Sequence, residues 1–221
     1  MASAFHERAE AAAALVAALR EMEERGRNIV TTLVAEAPFV ELRHYPEDDV
    51  IDHKSHAQYY LHAHRGGRES AHIHCFMRAT GIPDGVHPLG SSADDADSRT
   101  MTHVLAVSLD GNGRPAGLFT TNRWVTGDEW HAAETLVSLL PGMTWRGAKG
   151  PRPVNRALTA LFVLYRQAIV ALLRRRDRKI AAWASRHPGE NAFEDREIEV
   201  LSTAQLNLER TLADLRERLD D

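Results

Sequence analysis

Residues 58–76 are the part of the sequence that most constrains how this chain can fold, because a His-x-His pair occurs there twice. The pairs are His62/His64 and His72/His74, and a Gly-Gly dipeptide lies between them. Spacing of period two is typical of β-strands, and two such runs joined by a glycine-containing loop predict a β-hairpin. The histidines occupy even positions and apolar side chains occupy odd ones. The pattern therefore predicts a hairpin with one imidazole face and one apolar face.

The register of the hairpin decides whether all four histidines share that face. Directly opposed residues of an antiparallel pair point to the same side, so their numbers must sum to an even value for the two pairs to converge. A two-residue loop at Gly66-Gly67 would give an odd sum, whereas a loop of three or five residues gives an even one. The odd register would mix Ile73 and Cys75 with the histidines of the other strand. We therefore predict the even register.

Charge balance and cysteine content exclude several functional classes. The chain has 27 basic and 31 acidic residues and a formal net charge of −4, which provides no general attraction to nucleic acid. The single cysteine excludes an internal disulfide framework and a zinc finger built from cysteines. No apolar run is long enough to span a bilayer, and the N-terminal segment carries charges along its length. We expect a cytoplasmic protein that binds neither membrane nor nucleic acid.

The elements around the hairpin predict an α+β fold. Apolar residues recur every three to four positions over residues 2–37, as in a packing helix. Residues 101–108 and 117–124 are predicted strands, joined by a turn rich in Asp and Gly. With a short strand at 39–43, these segments predict an antiparallel sheet of four or five strands with flanking helices.

The C-terminal part, residues 151–221, is predicted to be a helical hairpin. Residues 154–186 carry a wide apolar stripe, and residues 193–219 place leucines at heptad a and d positions with Gln205 as a polar a residue. The short connection favours antiparallel pairing of the two helices, although the heptads could instead form a homodimer. We expect residues 1–150 to hold the N-terminal helix and the sheet, with the hairpin packed on them as one compact unit.

Acidic and imidazole side chains are concentrated at residues 44–53, just before the hairpin. Among them are the carboxylates of Asp49 and Asp52 and the imidazole of His44. Such groups could complete a metal shell or supply a general base, and a solvated acidic loop is the alternative for any one of them. Together with Glu69, which lies between the two His pairs, Asp49 and Asp52 are the predicted catalytic residues.

Three residues are predicted to contact a substrate. Tyr60 lies on the histidine face of the hairpin, and Asn122 and Arg123 lie at the polar end of a later strand. An amide and a guanidinium there suit an anionic or carbonyl group of a ligand. His103 begins another strand and could join the histidine face, although a single histidine on a strand is more often structural.

The chemistry predicted from the histidines is metal binding. Neutral imidazole is a common ligand of zinc, iron and copper, and two His-x-His strands can present several nitrogens to one centre. We predict one transition metal ion, with zinc or iron ahead of copper, bound by His62, His64, His72 and His74. A hydrogen-bonded histidine face without metal is the alternative.

The predicted function is a metal-dependent enzyme that acts on a small molecule by hydrolytic or oxidative chemistry. Three ligands and an open position would generate hydroxide or bind a substrate oxygen, whereas four ligands without an opening would be structural. The alternative is therefore a non-enzymatic protein that binds metal or another ligand and assembles through its terminal helices.

Two short motifs resemble parts of known metal and phosphate sites. His62-x-His64 followed by Glu69 is similar to the first half of the cupin metal motif, in which two histidines and a glutamate bind metal, but the glycine expected downstream is missing. The segment HIHCF at residues 72–76 resembles a truncated histidine-triad motif, a family that acts on nucleotide phosphates. That likeness implies a nucleophilic His74, although a phenylalanine stands where the third histidine would be.

A longer combination of motifs resembles an uncharacterised bacterial family of conserved proteins. The motifs are HYPxxDVxD, QYYxHAH and a second HxH strand, within a region from about residue 40 to 130. The residues in the recurring positions are Asp49, Asp52, Gln58, Tyr59, His62, His64, His72 and His74. This resemblance implies no known activity, so the functional prediction rests on the chemistry of the side chains.

Overall fold

The computed structural model describes residues 2–36, 40–41, 43–62, 71–90 and 101–220, which form seven α-helices and one six-stranded sheet. The helices are α1 Ala2–Glu23, α2 Ile29–Val34, α3 Arg123–Thr126, α4 Ala133–Leu139, α5 Arg152–Leu164, α6 Arg166–Arg186 and α7 Leu208–Asp220. The strands are β1 Tyr45–Ile51, β2 Ala57–His62, β3 Ala71–Arg78, β4 Met101–Leu109, β5 Pro115–Thr121 and β6 Val200–Gln205. Short 3-10 helices occupy Ala79–Gly81, Leu140–Gly142 and Ala192–Glu194.

The sheet is antiparallel throughout, and its strands lie side by side in the order in which they occur in the chain. The predicted α+β class and antiparallel sheet are confirmed, but the predicted number of four or five strands is wrong. The strand predicted at 39–43 is wrong, since the described residues 40, 41 and 43 are not in a strand, and pairing with β2 instead makes β1 from the acidic segment that follows. The additional strand is β6, which lies in a segment predicted to be helical. Leu201 fits the leucine spacing of the helix that follows, but a strand buries it equally well. In β6 only 5% of Leu201 is exposed.

The predicted even register of the hairpin is confirmed. His62 pairs with His72 and Tyr60 pairs with His74, so the histidines of both strands point to one side of the sheet. We call this side the histidine face. Residues 63–70, which include His64 and Glu69, lie outside the described residues.

The opposite side of the sheet, the helix face, is apolar and packs against the helices. The odd-numbered side chains of the hairpin, among them Leu61, Ile73 and Cys75, are 0% exposed and belong to the main hydrophobic core. The same core contains Leu15 of α1 and Leu161 of α5. Successive residues of a strand alternate between the two faces of a sheet, so the apolar side chains pack on the helix face. The residues between them point to the histidine face, which can carry polar groups.

The helices are shorter than predicted, because each long periodic stretch is interrupted. The N-terminal stretch breaks at Gly26, which has a φ of 66°. The next helix, α2, has Asn28 as its N-cap, and Asn28 and Thr31 form a capping box. The stretch at 154–186 is two helices, α5 and α6, which meet at Tyr165 with a bend of 75°.

Among the described residues, no single helix has both the length and the apolarity needed to cross a bilayer. The bent pair of α5 and α6 reaches that length and apolarity only when the two helices are taken together, by length and composition alone.

The C-terminal segment forms a strand and a helix in place of the long helix predicted at 193–219. After β6, α7 packs against the main core through Leu208, Leu212 and Leu215. The predicted helical hairpin is therefore wrong in its second member. The division of the chain at residue 150 and a homodimer through the C-terminal helices stay predictions.

Candidate metal centre

Three histidines of the hairpin converge on the histidine face. One nitrogen from each of His62, His72 and His74 lies within 4.8 Å of the others. The distances between ring centroids are 5.4 Å for His62 and His72, 5.9 Å for His62 and His74, and 4.7 Å for His72 and His74. Nitrogen ligands of one tetrahedral zinc ion lie about 3.4 Å apart, so a bound ion would draw these nitrogens closer together. This cluster could hold a metal ion. It is called the triad below and is distinct from the histidine-triad motif mentioned above.

The triad forms part of the wall of a cavity of about 700 Å³. Tyr60 and His44 line the same side, and Phe119, Trp124 and Val125 line it from β5 and α3. The ring of Phe119 meets His72 edge to face, with centroids 5.3 Å apart. Apolar walls with a few convergent polar groups are typical of small-molecule sites, and this cavity has the size of one.

A chain of hydrogen bonds leads away from the triad into the sheet. His74 Nδ1 lies 3.0 Å from His103 Nε2, and His103 Nδ1 lies 3.3 Å from Thr121 Oγ1. Burial, followed by the charge of neighbouring imidazoles, holds the pKa of His74 well below its usual range. Burial and the Arg176 guanidinium lower the pKa of His103 to about 3. Both rings are therefore neutral at physiological pH, which is the form of histidine that binds metal.

A β-bulge places His103 on the histidine face. His74 lies opposite Ala106 on β4, but Phe76, two residues further along β3, lies opposite His103 because the register shifts between Cys75 and Phe76. Without this shift Phe76 would lie opposite Val104, and His103 would point to the helix face. The bulge is thus what allows an odd-numbered residue to reach the even-numbered histidines.

A second group of hydrogen bonds holds His44 at the edge of the triad. The His44 ring stacks on Tyr60 with centroids 3.6 Å apart, and its centroid is 6.2 Å from that of His62. His44 Nδ1 lies 3.2 Å from Asp49 Oδ1, and Gln58 Nε2 donates to Asp49 Oδ2 at 2.7 Å. The side chain of Asp49 is 14% exposed.

Burial raises the pKa of Asp49, and this effect outweighs the opposing effects of the Gln58 hydrogen bond and the His44 charge. Arg78 also belongs to this group, since its guanidinium donates to Gln58 Oε1 at 2.7 Å. The arrangement brings Asp49, a predicted catalytic residue, next to a histidine on the cavity wall.

Asp52, in contrast, is not brought to the cavity wall. Its carboxylate accepts hydrogen bonds from the backbone N–H groups of Lys54, Ser55 and Gly147 at 2.9, 3.1 and 2.8 Å. These bonds join the turn after β1 to the loop before α5, which is a structural task. His64 and Glu69, the remaining predicted ligand and base candidates, lie outside the described residues.

Of the three predicted substrate contacts, Tyr60 lines the cavity, while Asn122 and Arg123 have protein partners elsewhere. Asn122 is fully buried, caps α3 and donates to the carbonyl of Ala192 at 2.9 Å. Arg123 is 5% exposed, pairs with Glu194 at 2.8 Å and donates to the carbonyl of Gly90 at 2.7 Å. Both side chains therefore hold neighbouring segments together.

Two histidines near the triad, His44 and His103, were possible additions to the site from sequence but were not among its predicted ligands or catalytic residues. The sequence signal for His44 is its place in a dense group of carboxylates and imidazoles, which raises the chance of an Asp–His pair. His103 gives a weaker signal, because its position on the odd parity of its strand predicts the wrong face until the bulge is known. Chemically, the site combines three converging imidazoles, a histidine paired with a carboxylate, and an open cavity.

The chain belongs to a protein family described as a domain of unknown function, DUF6969, whose family model matches residues 9–206. This agrees with the expectation of an uncharacterised family. Neither the curated proteins nor the solved structures contain a significant match to the chain.

Proposed function

We propose that this member of the DUF6969 family is a metal-dependent enzyme that acts on a small molecule in the histidine-lined cavity. One observation carries the proposal: nitrogens of His62, His72 and His74 lie within 4.8 Å of one another on the wall of a cavity of about 700 Å³. A structural metal site needs no cavity, whereas a catalytic site needs space for a substrate beside the metal.

The donor set fits a transition metal ion. Imidazole nitrogens suit zinc, iron and copper, and we propose zinc or iron ahead of copper. Three protein ligands leave at least one coordination position for water or a substrate oxygen, and a metal bound there would supply Lewis acidity. His64 is a further candidate ligand from its place in the sequence motif.

His44 and Asp49 support a proton-transfer role beside the triad. The Asp49 carboxylate lies 3.2 Å from Nδ1 of His44 and can accept a hydrogen bond from it. When Nδ1 carries the proton, Nε2 is the basic atom of the ring. A histidine oriented by a carboxylate is a common general base, and His44 lies on the cavity wall where such a base would meet a substrate. We propose His44 as the base and Asp49 as the residue that orients it.

The test begins with metal analysis of tag-free protein by plasma mass spectrometry, before and after supplementation with zinc and with iron(II) under anaerobic conditions. We expect about one equivalent of one transition metal in the wild type. His62→Ala and His74→Ala should lose it, while His87→Ala, which removes an exposed histidine outside the site, should retain it. A folded wild type that takes up no metal, or both triad variants with full metal content, would overturn the proposal.

A second measurement tests for the open coordination position that a catalytic metal site requires. Azide binds open coordination positions, so it should change the visible spectrum of the protein loaded with Co²⁺. A spectrum that azide leaves unchanged would indicate a closed ligand shell and would favour the non-enzymatic alternative.

A further inference from the structure

The bonds from His74 to His103 and from His103 to Thr121 restrict the part that His74 can play in a metal site. Each neutral imidazole carries one N–H and one basic nitrogen. Since Nδ1 of His74 faces Nε2 of His103 at 3.0 Å, a single proton lies between the two rings. Nδ1 of His74 is occupied by this bond, so only Nε2 remains to bind a metal.

The bonds allow two arrangements of protons. In the first, His74 donates from Nδ1 to His103, and His103 donates from its own Nδ1 to Thr121 Oγ1. In the second, His103 donates to His74, whose Nε2 must then carry the proton. A protonated nitrogen has no lone pair for a metal, so only the first arrangement makes His74 a ligand.

We propose that His103 is a positioning residue of the metal site, which holds His74 as the tautomer with Nδ1 protonated and presents its Nε2 to the metal. This inference rests on the proposed function. His74 and Thr121 line the cavity, whereas His103 is not among the described residues that do, so His103 acts through His74. Such partners of ligating histidines fix the ring orientation and raise the basicity of the ligating nitrogen.

The fold supports this assignment independently of the hydrogen bonds. His103 reaches His74 only because of the β-bulge between Cys75 and Phe76, and a regular ladder would place Val104 there instead. The bulge buries a second polar ring, 7% exposed, beside His74, which is 3% exposed. Burying polar groups costs stability unless they are hydrogen-bonded. Bulges are over-represented next to active sites, where they re-aim a side chain.

The experiment measures the affinity for Zn²⁺ by chelator competition and the visible spectrum with Co²⁺, in the wild type and three variants. His103→Leu removes the acceptor for His74 and should weaken zinc binding by about 10 to 100-fold, with a changed Co²⁺ spectrum. His103→Gln can place an amide oxygen near the former Nε2 and should recover most of the affinity.

The matched control is His131→Leu. His131 is 1% exposed and its Nδ1 lies 2.8 Å from a threonine hydroxyl, Thr102 Oγ1, so its removal also deletes a buried imidazole bonded to a threonine. It is outside the triad and the cavity wall, and its loss should lower stability but leave zinc affinity and the Co²⁺ spectrum unchanged.

The outcomes separate this inference from the proposed function. If the folded wild type binds neither metal, the proposed function fails and the inference falls with it. The inference alone is overturned if the wild type binds metal and His103→Leu has the same zinc affinity and Co²⁺ spectrum as the wild type. It is also overturned if His131→Leu loses as much zinc affinity as His103→Leu. Should His103→Leu fail to fold, long-range ¹H–¹⁵N spectra of the zinc-loaded wild type decide the matter. A proton on His74 Nδ1 supports the inference, and zinc on that nitrogen overturns it.

Discussion

The two faces of the sheet are both buried, but they are buried in different ways. On the helix face, side chains such as Ile73 and Leu105 are 0% exposed and belong to the main core, which also contains residues of α1 and α5. On the histidine face, His72 and His74 are 8% and 3% exposed, yet they border a cavity and lie among other polar rings.

The difference is clearest in neighbouring residues that point to opposite faces. Tyr59 donates a hydrogen bond from its hydroxyl to Asn155 Oδ1 of α5 at 2.7 Å, whereas the ring of Tyr60 stacks on His44 beside the triad. Buried polar rings are costly unless they are paired, and an apolar core is the cheaper way to fill a sheet surface. The helix face therefore stabilises the fold, whereas the polar rings of the histidine face are the groups on which the proposed metal site depends.

The largest expected effect compares Ile73 with its neighbour His72. Ile73→Ala should lower the free energy of unfolding by about 2 to 5 kcal/mol, because it removes a buried side chain and leaves a cavity. His72→Ala should cost clearly less in the metal-free protein but should weaken zinc binding, because it deletes one member of the triad. Urea denaturation in the presence of a chelator and zinc titration measure the two quantities separately.

Ile73→Val is the control for the helix face, with an expected loss of about 0.5 to 1.5 kcal/mol and unchanged zinc affinity. The distinction between the two faces would fail if Ile73→Ala weakened zinc binding as strongly as His72→Ala in protein that is still folded, or if the two alanine variants lost equal stability.

The second prediction concerns Asp52, which secures a loop on the side of the helix face. Burial raises the pKa of Asp52, but hydrogen bonds from the N–H groups of Ser55, Gly147 and Lys54 outweigh this effect and lower the pKa below its usual value. A lowered pKa stabilises the folded state above the unfolded pKa of about 3.9, and this stabilisation is lost as the pH falls through the folded value. Asp52→Asn should therefore cost about 1.5 to 3 kcal/mol at pH 7 and less at pH 3.

Urea denaturation of both proteins at the two pH values tests this prediction. Asp48→Asn is the control, since Asp48 is exposed and its substitution should change stability by no more than about 0.5 kcal/mol. A difference between Asp52→Asn and wild type that is the same at pH 3 and pH 7 would contradict the charge-dependent role of this carboxylate.

The sequence predicts the histidine face well because strand parity is a local property. The even register follows from keeping Ile73 and Cys75 away from the histidines, and the structure has that register. The bulge that places His103 on the histidine face depends on the pairing of β3 with β4, which are separated in sequence by residues 79–100. No local pattern around His103 reports such a shift in register.

The errors at the C-terminus and among the site residues have a similar cause. Leucine spacing in 201–215 fits a helix, but hydrogen bonding to the edge of β5 draws residues 200–205 into the sheet. Asn122 and Arg123 have the chemistry of substrate contacts, and only the fold brings Ala192 and Glu194 close enough to engage them. Tertiary partners decide between functional and structural uses of the same side chain.

The smallest expected effect comes from removing one hydroxyl on each face. Tyr59→Phe should lower the free energy of unfolding by about 1 to 2 kcal/mol, because Asn155 Oδ1 loses the buried donor that pairs with it. Tyr60→Phe should change stability by less than about 0.5 kcal/mol, since phenylalanine preserves the ring that stacks on His44.

Thermal and urea denaturation of the metal-free proteins would measure this difference, with the double variant as a check that the two effects add. The residues are adjacent in sequence and share a strand, so backbone propensity is nearly the same for both substitutions. Equal losses would mean that the phenolic hydroxyls on both faces stabilise the fold, and the division between a stabilising face and a chemical face would fail at its closest pair of residues.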